Sequence, residues 1–287
     1  MEYFDPDRTE TAVGMAHSPY VSELLERLPG ALDYVEIPFE QLRHAPDTAD
    51  IQQRIPLVLH CASMSVGGFV PPEESTLAAV EHWRQRTRTP WIGEHLAYIR
   101  AEAAGPDDAD RREDADPTSL TYTVCPQLSE QSLEQVLDNL KPLQDRYPVP
   151  IILENPPQYF PVPGSTMSLV EFTRRLCDRN DRLDLLLDLT HFLISAINLG
   201  FDAARELERL PLERVVEFHL SGLKTQSGTA WDDHARPAPE PVFELLSRAL
   251  RRARPRAVTF EYNWAPDLPE LGPLQQQLRR VRDLVGT

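Results

Sequence analysis

Two stretches decide the fold: VPIILEN (149–155) and LDLLLDLTH (183–191). Each is a short aliphatic run that stops on an acid, Glu154 in the first and Asp188 in the second. Runs of about five such residues suit strands that are buried on both faces of a parallel sheet. The same pattern recurs on either side. Thr11–Met15, Asp33–Ile37, Pro56–His60 and Pro90–His95 come before these runs, and Val215–His219 and Ala257–Glu261 follow them. Val149–Glu154 and Leu183–Asp188 are thus the fifth and sixth of eight.

Helical periodicity fills most of the gaps, at Pro19–Leu28, Glu73–Arg88, Ser129–Leu143, Leu169–Leu176, Ala203–Leu210, Pro241–Leu250 and Leu271–Leu284. Solid runs alternating with a 3.6-residue period read as β/α units, and eight units predict an α/β fold of the TIM (β/α)8 type. The 287 residues fit one such domain over 1–287. One segment breaks the pattern. Ala101–Ser119 holds seven acidic residues and almost nothing apolar, so an acidic mobile insertion is expected there.

Composition narrows the function. Lys+Arg is 29 against 45 Asp+Glu, a formal net charge of -16, which argues against nucleic acid and anionic membrane surfaces as partners. No stretch of about 18 apolar residues exists to span a membrane. The polar start, Met1–Glu10, lacks a signal-peptide pattern, so a cytoplasmic setting is expected. Three scattered cysteines, Cys61, Cys125 and Cys177, suggest neither a disulfide framework nor a zinc knot. Walker A and GxGxxG patterns are absent from the sequence.

The chemistry lies where the runs stop. Successive runs end in His60, Glu94-His95, Glu154, Asp188, His219 and Glu261, and a barrel gathers all these ends at one mouth. His191 lies just past Asp188, and Asp232 and His234 fall in a Gly/Ser/Thr-rich loop after the seventh run. Carboxylates crowded together are costly to bury, and multivalent cations remove that cost while using both ligand types. Nine candidate ligands (His60, His95, Glu154, Asp188, His191, His219, Asp232, His234 and Glu261) exceed the needs of one ion. Two or three metals fit better, with Glu154 or Asp188 bridging. Glu36, Glu94, Asn155, Tyr98 and Asn263 are candidates for contacts behind the ligands or with substrate. His17 and Trp231 are ambiguous, and His44 and His82 read as surface residues. Cys61 follows His60 directly, so the two side chains point opposite ways on a strand and form no dyad.

The motifs in series resemble a known family. LHCASMSVGG (59–68), GEHLAYI (93–99), LENPPQYF (153–160), LLLDLTHFLISAINLG (185–200), VVEFHLSG (215–222), DDHARPAPEPVFELL (232–246) and TFEYNW (259–264) run in the order found in the multinuclear non-haem iron-dependent oxidative enzymes. That family includes the oxidase of methanobactin biosynthesis. The resemblance implies two or three Fe ions with O2 as co-substrate. It implies a ribosomally synthesised precursor peptide modified at Cys, Asp or Asn, and a partner protein that binds the precursor's leader. His60, His95, Glu154, Asp188, His219, Asp232, His234 and Glu261 match the family's ligand positions, while His191 stands where many members have Asn. The chain departs from the pattern at Glu94, usually Asp, at Asn263, commonly an acid, and at Ala16, usually Arg. The alternative is a Zn, Mn or Mg hydrolase or isomerase of the xylose-isomerase-like or endonuclease-IV-like barrels, where metal activates water or polarises a carbonyl.

Overall fold

The computed structural model describes residues 1–5, 7–42, 47–101, 118–262 and 270–286. In chain order the main elements are β1 (Ala12–Ala16), α1 (Val21–Arg27), β2 (Tyr34–Pro38), α2 (Thr48–Gln52), β3 (Leu57–Cys61), α3 (Glu74–Thr87), β4 (Ile92–His95), β5 (Tyr98–Ala101) and β6 (Thr118–Val124). There follow α4 (Glu130–Arg146), β7 (Ile151–Glu154), α5 (Leu169–Arg179), β8 (Asp184–Asp188), α6 (Leu189–Leu199), α7 (Ala203–Leu207) and β9 (Val215–Ser221). The chain then forms β10 (Leu223–Gln226), β11 (Thr229–Asp232), α8 (Glu240–Ala249), β12 (Ala257–Glu261) and α9 (Leu271–Val285).

Eight of the strands close into a barrel in the order β1-β12-β9-β8-β7-β4-β3-β2, with β2 paired back to β1. Every barrel pairing is parallel. These eight are the eight apolar runs of the sequence, shifted by a residue or two at their ends. All-parallel strands need helices outside, so their outward residues (Leu57, Leu59, Ile92, Ile151, Leu185 and Leu187) pack into one large apolar layer with the helices. Burying each such side chain contributes about 1.5–3 kcal/mol.

The inward residues form a smaller second cluster of Ala12, Tyr34, Val58, Trp91, Ile152, Leu186 and Ala257. Phe4 plugs this floor, edge-on to both Tyr34 and Trp91. Two interior glycines exist because a neighbour leaves no room for a side chain. A Cβ on Gly14 would lie 2.5 Å from the Tyr34 ring, and one on Gly93 would lie 2.4 Å from His60 Nδ1.

Two parts of the sequence reading need correction. First, β8 is followed at once by α6, a helix that the pattern reading passed over in favour of Ala203–Leu210, where only the short α7 forms. Asp188 caps α6, its Oδ1 accepting the His191 backbone N–H at 2.6 Å. Second, the Gly/Ser/Thr-rich stretch after β9 is not a plain loop. It is the antiparallel hairpin β10–β11, turning on Ser227 and Gly228, both with positive φ. A second hairpin, β5–β6, flanks the acidic segment. Residues 102–117 of the segment expected to be an insertion lie outside the described residues.

Candidate metal centre

Period-2 alternation along the barrel strands brings the site together. His60, His95, Glu154, Asp188, His219 and Glu261 take inward positions at the strand ends. Register sets His95 opposite Glu154 across β4–β7 and Asp188 opposite His219 across β8–β9. The α6 cap places His191 one turn above Asp188, and the end of β11 delivers Asp232, with His234 two residues on.

Glu154 is the hub. Its Oε2 lies 2.9 Å from His95 Nδ1 and 3.3 Å from His60 Nε2. Its Oε1 lies 3.2 Å from His191 Nδ1 and 3.8 Å from His219 Nδ1. The carboxylate is buried, yet neither oxygen has a hydrogen bond of acceptable geometry. The rest of the cluster repeats the theme. His60 Nε2 and His95 Nε2 face each other at 2.9 Å. Glu261 Oε2 sits between His219 Nδ1 at 3.4 Å and His234 Nε2 at 3.5 Å. Asp232 Oδ2 is 2.7 Å from His234 Nε2 and 3.5 Å from His191 Nε2. Asp188 Oδ2, His219 Nδ1 and Glu261 Oε2 also lack hydrogen bonds while buried. Buried polar atoms left open cost free energy unless another partner satisfies them. A cation held by these atoms is such a partner, so the residues fit a metal. Four sets have ligand atoms within 4.8 Å of one another: Glu36-His60-His219, His60-His95-Glu154, His191-His234-Glu261, and Glu154-Asp188-His219-Glu261.

Without metal, the charges answer each other. Burial disfavours ionised groups here, but the nearby opposite charges outweigh it at most of them. Against burial, Glu36 and Glu154 push the His60 imidazolium up to about 10. His234 is raised to about 9, burial again being overcome, by Glu261 and Asp232. Burial works against ionisation of Glu154 and Glu261 too. The imidazoles of His95, His191 and His60 hold Glu154 well below the usual carboxylate range, and His234 and His219 hold Glu261 at about 2. Asp188 is the exception, raised to about 8 because its burial is joined by the nearby Glu261 and Glu154 and only partly answered by His191. Among the described residues every ion-pair partner of these carboxylates is an imidazole.

The outer-shell candidates divide. Asn155 clamps Asp188 through two backbone hydrogen bonds of 2.9 Å, and its own carbonyl oxygen faces His191 Nδ1 at 3.0 Å. Glu36 lies under the centre, 3.1 Å from His219 Nε2 and 3.6 Å from His60 Nδ1. Glu94 does not join the cluster. It pairs in register with Cys61 on the outer face, where its Oε2 accepts from the Met64 backbone N–H at 3.3 Å. Alternation on β4 forces this, because His95 takes the inward position. Tyr98 begins β5 and packs beside Gly68. Asn263 and His44 lie outside the described residues. His17 is buried against Gln41 Oε1 at 3.3 Å and joins none of the four sets. His82 is exposed on α3.

Sequence reasoning missed two neighbours of the centre. Glu217 is fully buried two residues before His219, on the same inward face of β9. An acid at an inward position of a buried strand was the signal for it. Tyr159 stacks on Trp231 at 4.5 Å, next to Asp232 at the rim, and Trp231 is 38% exposed rather than part of the core.

Residues 12–286 match the model of the RiPP precursor modification enzymes MbnB/TglH/ChrH. The chain belongs to this family. Curated relatives named UPF0276 protein include one from Rhizorhabdus wittichii, 30% identical, with 93% of this chain and 92% of that protein covered. One from Streptomyces avermitilis is 29% identical over 94% of this chain, which spans only 54% of that longer protein. Among solved structures, the IOLI protein with a bound zinc atom is similar at TM-score 0.58 and 14% identity, covering 96% of this chain and 98% of that one. Endonuclease IV from Thermus thermophilus is similar at TM-score 0.53 and 15% identity, covering 96% and 99%. At such identities they show the barrel fold alone. Among the described residues no helix is long and apolar enough to cross a membrane.

Proposed function

We propose that this family member is an O2-dependent oxidase that holds two or three irons at the barrel mouth. It modifies a ribosomally made precursor peptide at a Cys, Asp or Asn side chain, with a partner protein presenting the leader. The observation that carries this reading is Glu154: a buried carboxylate whose two oxygens face different sets of imidazoles, neither satisfied within the protein. One oxygen per ion is what a bridge between two metals requires. In this reading His60, His95, Glu154, Asp188, His191, His219, Asp232, His234 and Glu261 hold the ions. Asp188, whose Oδ1 caps α6, would offer its open Oδ2, and Glu261 would offer Oε2 between the imidazoles of His219 and His234.

Iron, when bound, supplies one-electron chemistry with O2, for which a mixed histidine and carboxylate set with open positions is suited. The protein's own residues supply orientation. The Asn155 carbonyl receives the Nδ1 proton of His191 and leaves Nε2 to face Asp232 and the centre. Glu36 receives the Nε2 proton of His219 and leaves Nδ1 to face Glu154 and Glu261. Such partners fix the tautomer and strengthen the donor. The Tyr159–Trp231 stack gives the rim a flat apolar wall against which a peptide segment can lie beside the centre. The test uses the precursor-like peptide encoded nearest this gene, incubated with ferrous-loaded protein. Mass change and O2 consumption that cease when zinc replaces iron support the oxidase, since zinc has no redox chemistry. Turnover with zinc or manganese and without O2 supports the hydrolase or isomerase alternative.

A further inference from the structure

Below the centre, Glu217 forms a second buried feature. Its Oε1 accepts hydrogen bonds from Tyr34 Oη at 2.9 Å and Thr259 Oγ1 at 2.5 Å. Its Oε2 accepts from Trp91 Nε1 at 2.7 Å. Tyr34 and Thr259 also meet each other at 2.5 Å. The carboxylate has no exposed surface. A hydrogen-bonded knot on the barrel floor needs only an acceptor there, and an amide is far less costly to bury than an acid. All three donors to Glu217 are neutral. Among the described residues its one ion-pair partner lies above it: His219 Nε2, 3.8 Å from Glu217 Oε1 and 3.1 Å from Glu36 Oε2. Two acids from neighbouring parts of the interior therefore converge on one ring nitrogen, while the other, Nδ1, faces Glu154 and Glu261 without a hydrogen bond.

We propose that Glu217 is a positioning residue for the metal centre: with Glu36 it holds the Nε2 side of His219, and it thereby sets the direction and donor strength of Nδ1. The inference rests on the reading of the barrel mouth as a metal centre, but not on iron, O2 or a peptide. Tyr34, Thr259 and Trp91 in turn lock the Glu217 carboxylate, so the floor of the barrel acts on the centre through one imidazole. A carboxylate hydrogen-bonded behind a ligating histidine makes the imidazole a better donor, and loss of such a partner costs about 10- to 100-fold in metal affinity; Glu36 holds that bond, and Glu217 acts electrostatically from 3.8 Å, so its loss costs less.

Glu217→Gln tests this with cobalt(II) alone as the probe. Glutamine can keep the knot, its oxygen accepting from Trp91 and its NH2 donating to the Tyr34 and Thr259 hydroxyls. The expected result is a thermal midpoint near the parent's for the metal-free variant, a cobalt affinity lower by up to about 10-fold in chelator competition, the low end for such partners, and shifted ligand-field bands. Parent-like affinity and bands, whatever the thermal midpoint, would overturn the proposal and leave Glu217 a structural knot. Should Glu217→Gln fail to fold, Trp91→Phe removes the donor to Oε2 and frees the carboxylate to turn. Shifted cobalt bands are then expected, and unchanged bands overturn the proposal. A parent protein that takes up no cobalt overturns both this inference and the metal reading. A cobalt-binding parent with indifferent variants defeats the inference alone.

Discussion

Replacing Glu154 by alanine should cost the protein more than one metal equivalent. Its Oε2 serves His95 and His60 at 2.9 and 3.3 Å, and its Oε1 serves His191 and His219 at 3.2 and 3.8 Å. Truncation therefore withdraws an oxygen and a share of negative charge from ions on both sides. His191→Ala should cost at most one equivalent, since Nδ1 is turned to the Asn155 carbonyl and Nε2, beside Asp232, is the one nitrogen left for an ion. The metal-free variant should also be less stable at neutral pH. Removing one partner of a buried ion pair leaves the other uncompensated, at about 3–5 kcal/mol. The assay is elemental analysis of protein loaded anaerobically with excess ferrous iron and desalted, with denaturant unfolding of the metal-free form alongside. A folded Glu154→Ala protein that loses one equivalent or less would refute the bridge.

Three further outcomes follow from the geometry. Gly93→Ala puts a Cβ 2.4 Å from His60 Nδ1, so it should displace that imidazole and lower metal content, while circular dichroism shows the barrel retained. Phe4→Ala empties the floor beneath Tyr34 and Trp91 and should destabilise the protein by about 3–5 kcal/mol in urea unfolding, without changing metal content. The metal-free protein should lose stability as pH rises from neutral towards 10. His60 and His234 are raised to about 10 and about 9, so their contribution is complete below the ordinary histidine value and is lost as pH passes those values. Asp188, raised to about 8, acts in the same direction, and Glu261, held at about 2, adds a loss only in strong acid. Thermal midpoints across pH check this, and proton release on adding metal at neutral pH checks the same charges directly.

The barrel was legible because eight short, largely apolar runs alternate with helical periods, although a single run such as IGEH reads equally as a buried helix fragment. Helix α6 was not. LTHFLISAINL packs against the barrel, hairpin strand β11 and α8, and its exposed side still carries Ile197, so it lacks the polar face that a 3.6-residue period needs. It also follows Asp188 without a break, its cap residue being the strand's last residue. The hairpin carried a Ser227-Gly228 turn signal, but its polar strands hid the pairing. Six of the nine proposed ligands could be picked out because they stand at strand ends, where a barrel converges; His191, Asp232 and His234 showed only as His and Asp close behind those ends in sequence. Glu94 misled because it neighbours His95 in sequence, while alternation sends the two to opposite faces. Glu217 escaped notice because it lies one inward position below the strand end, where a sequence pattern signals packing rather than chemistry.

The central claim is that this mouth holds coupled irons rather than a single redox-inert cation. Mössbauer spectroscopy on protein purified anaerobically and loaded with isotopically enriched iron, with iron counted on the same sample, tests it most directly. The account predicts more than one iron per chain, inequivalent sites and, after exposure to O2, magnetic coupling between them. One uncoupled iron per chain, or a protein that excludes iron and retains only zinc or manganese, would contradict it.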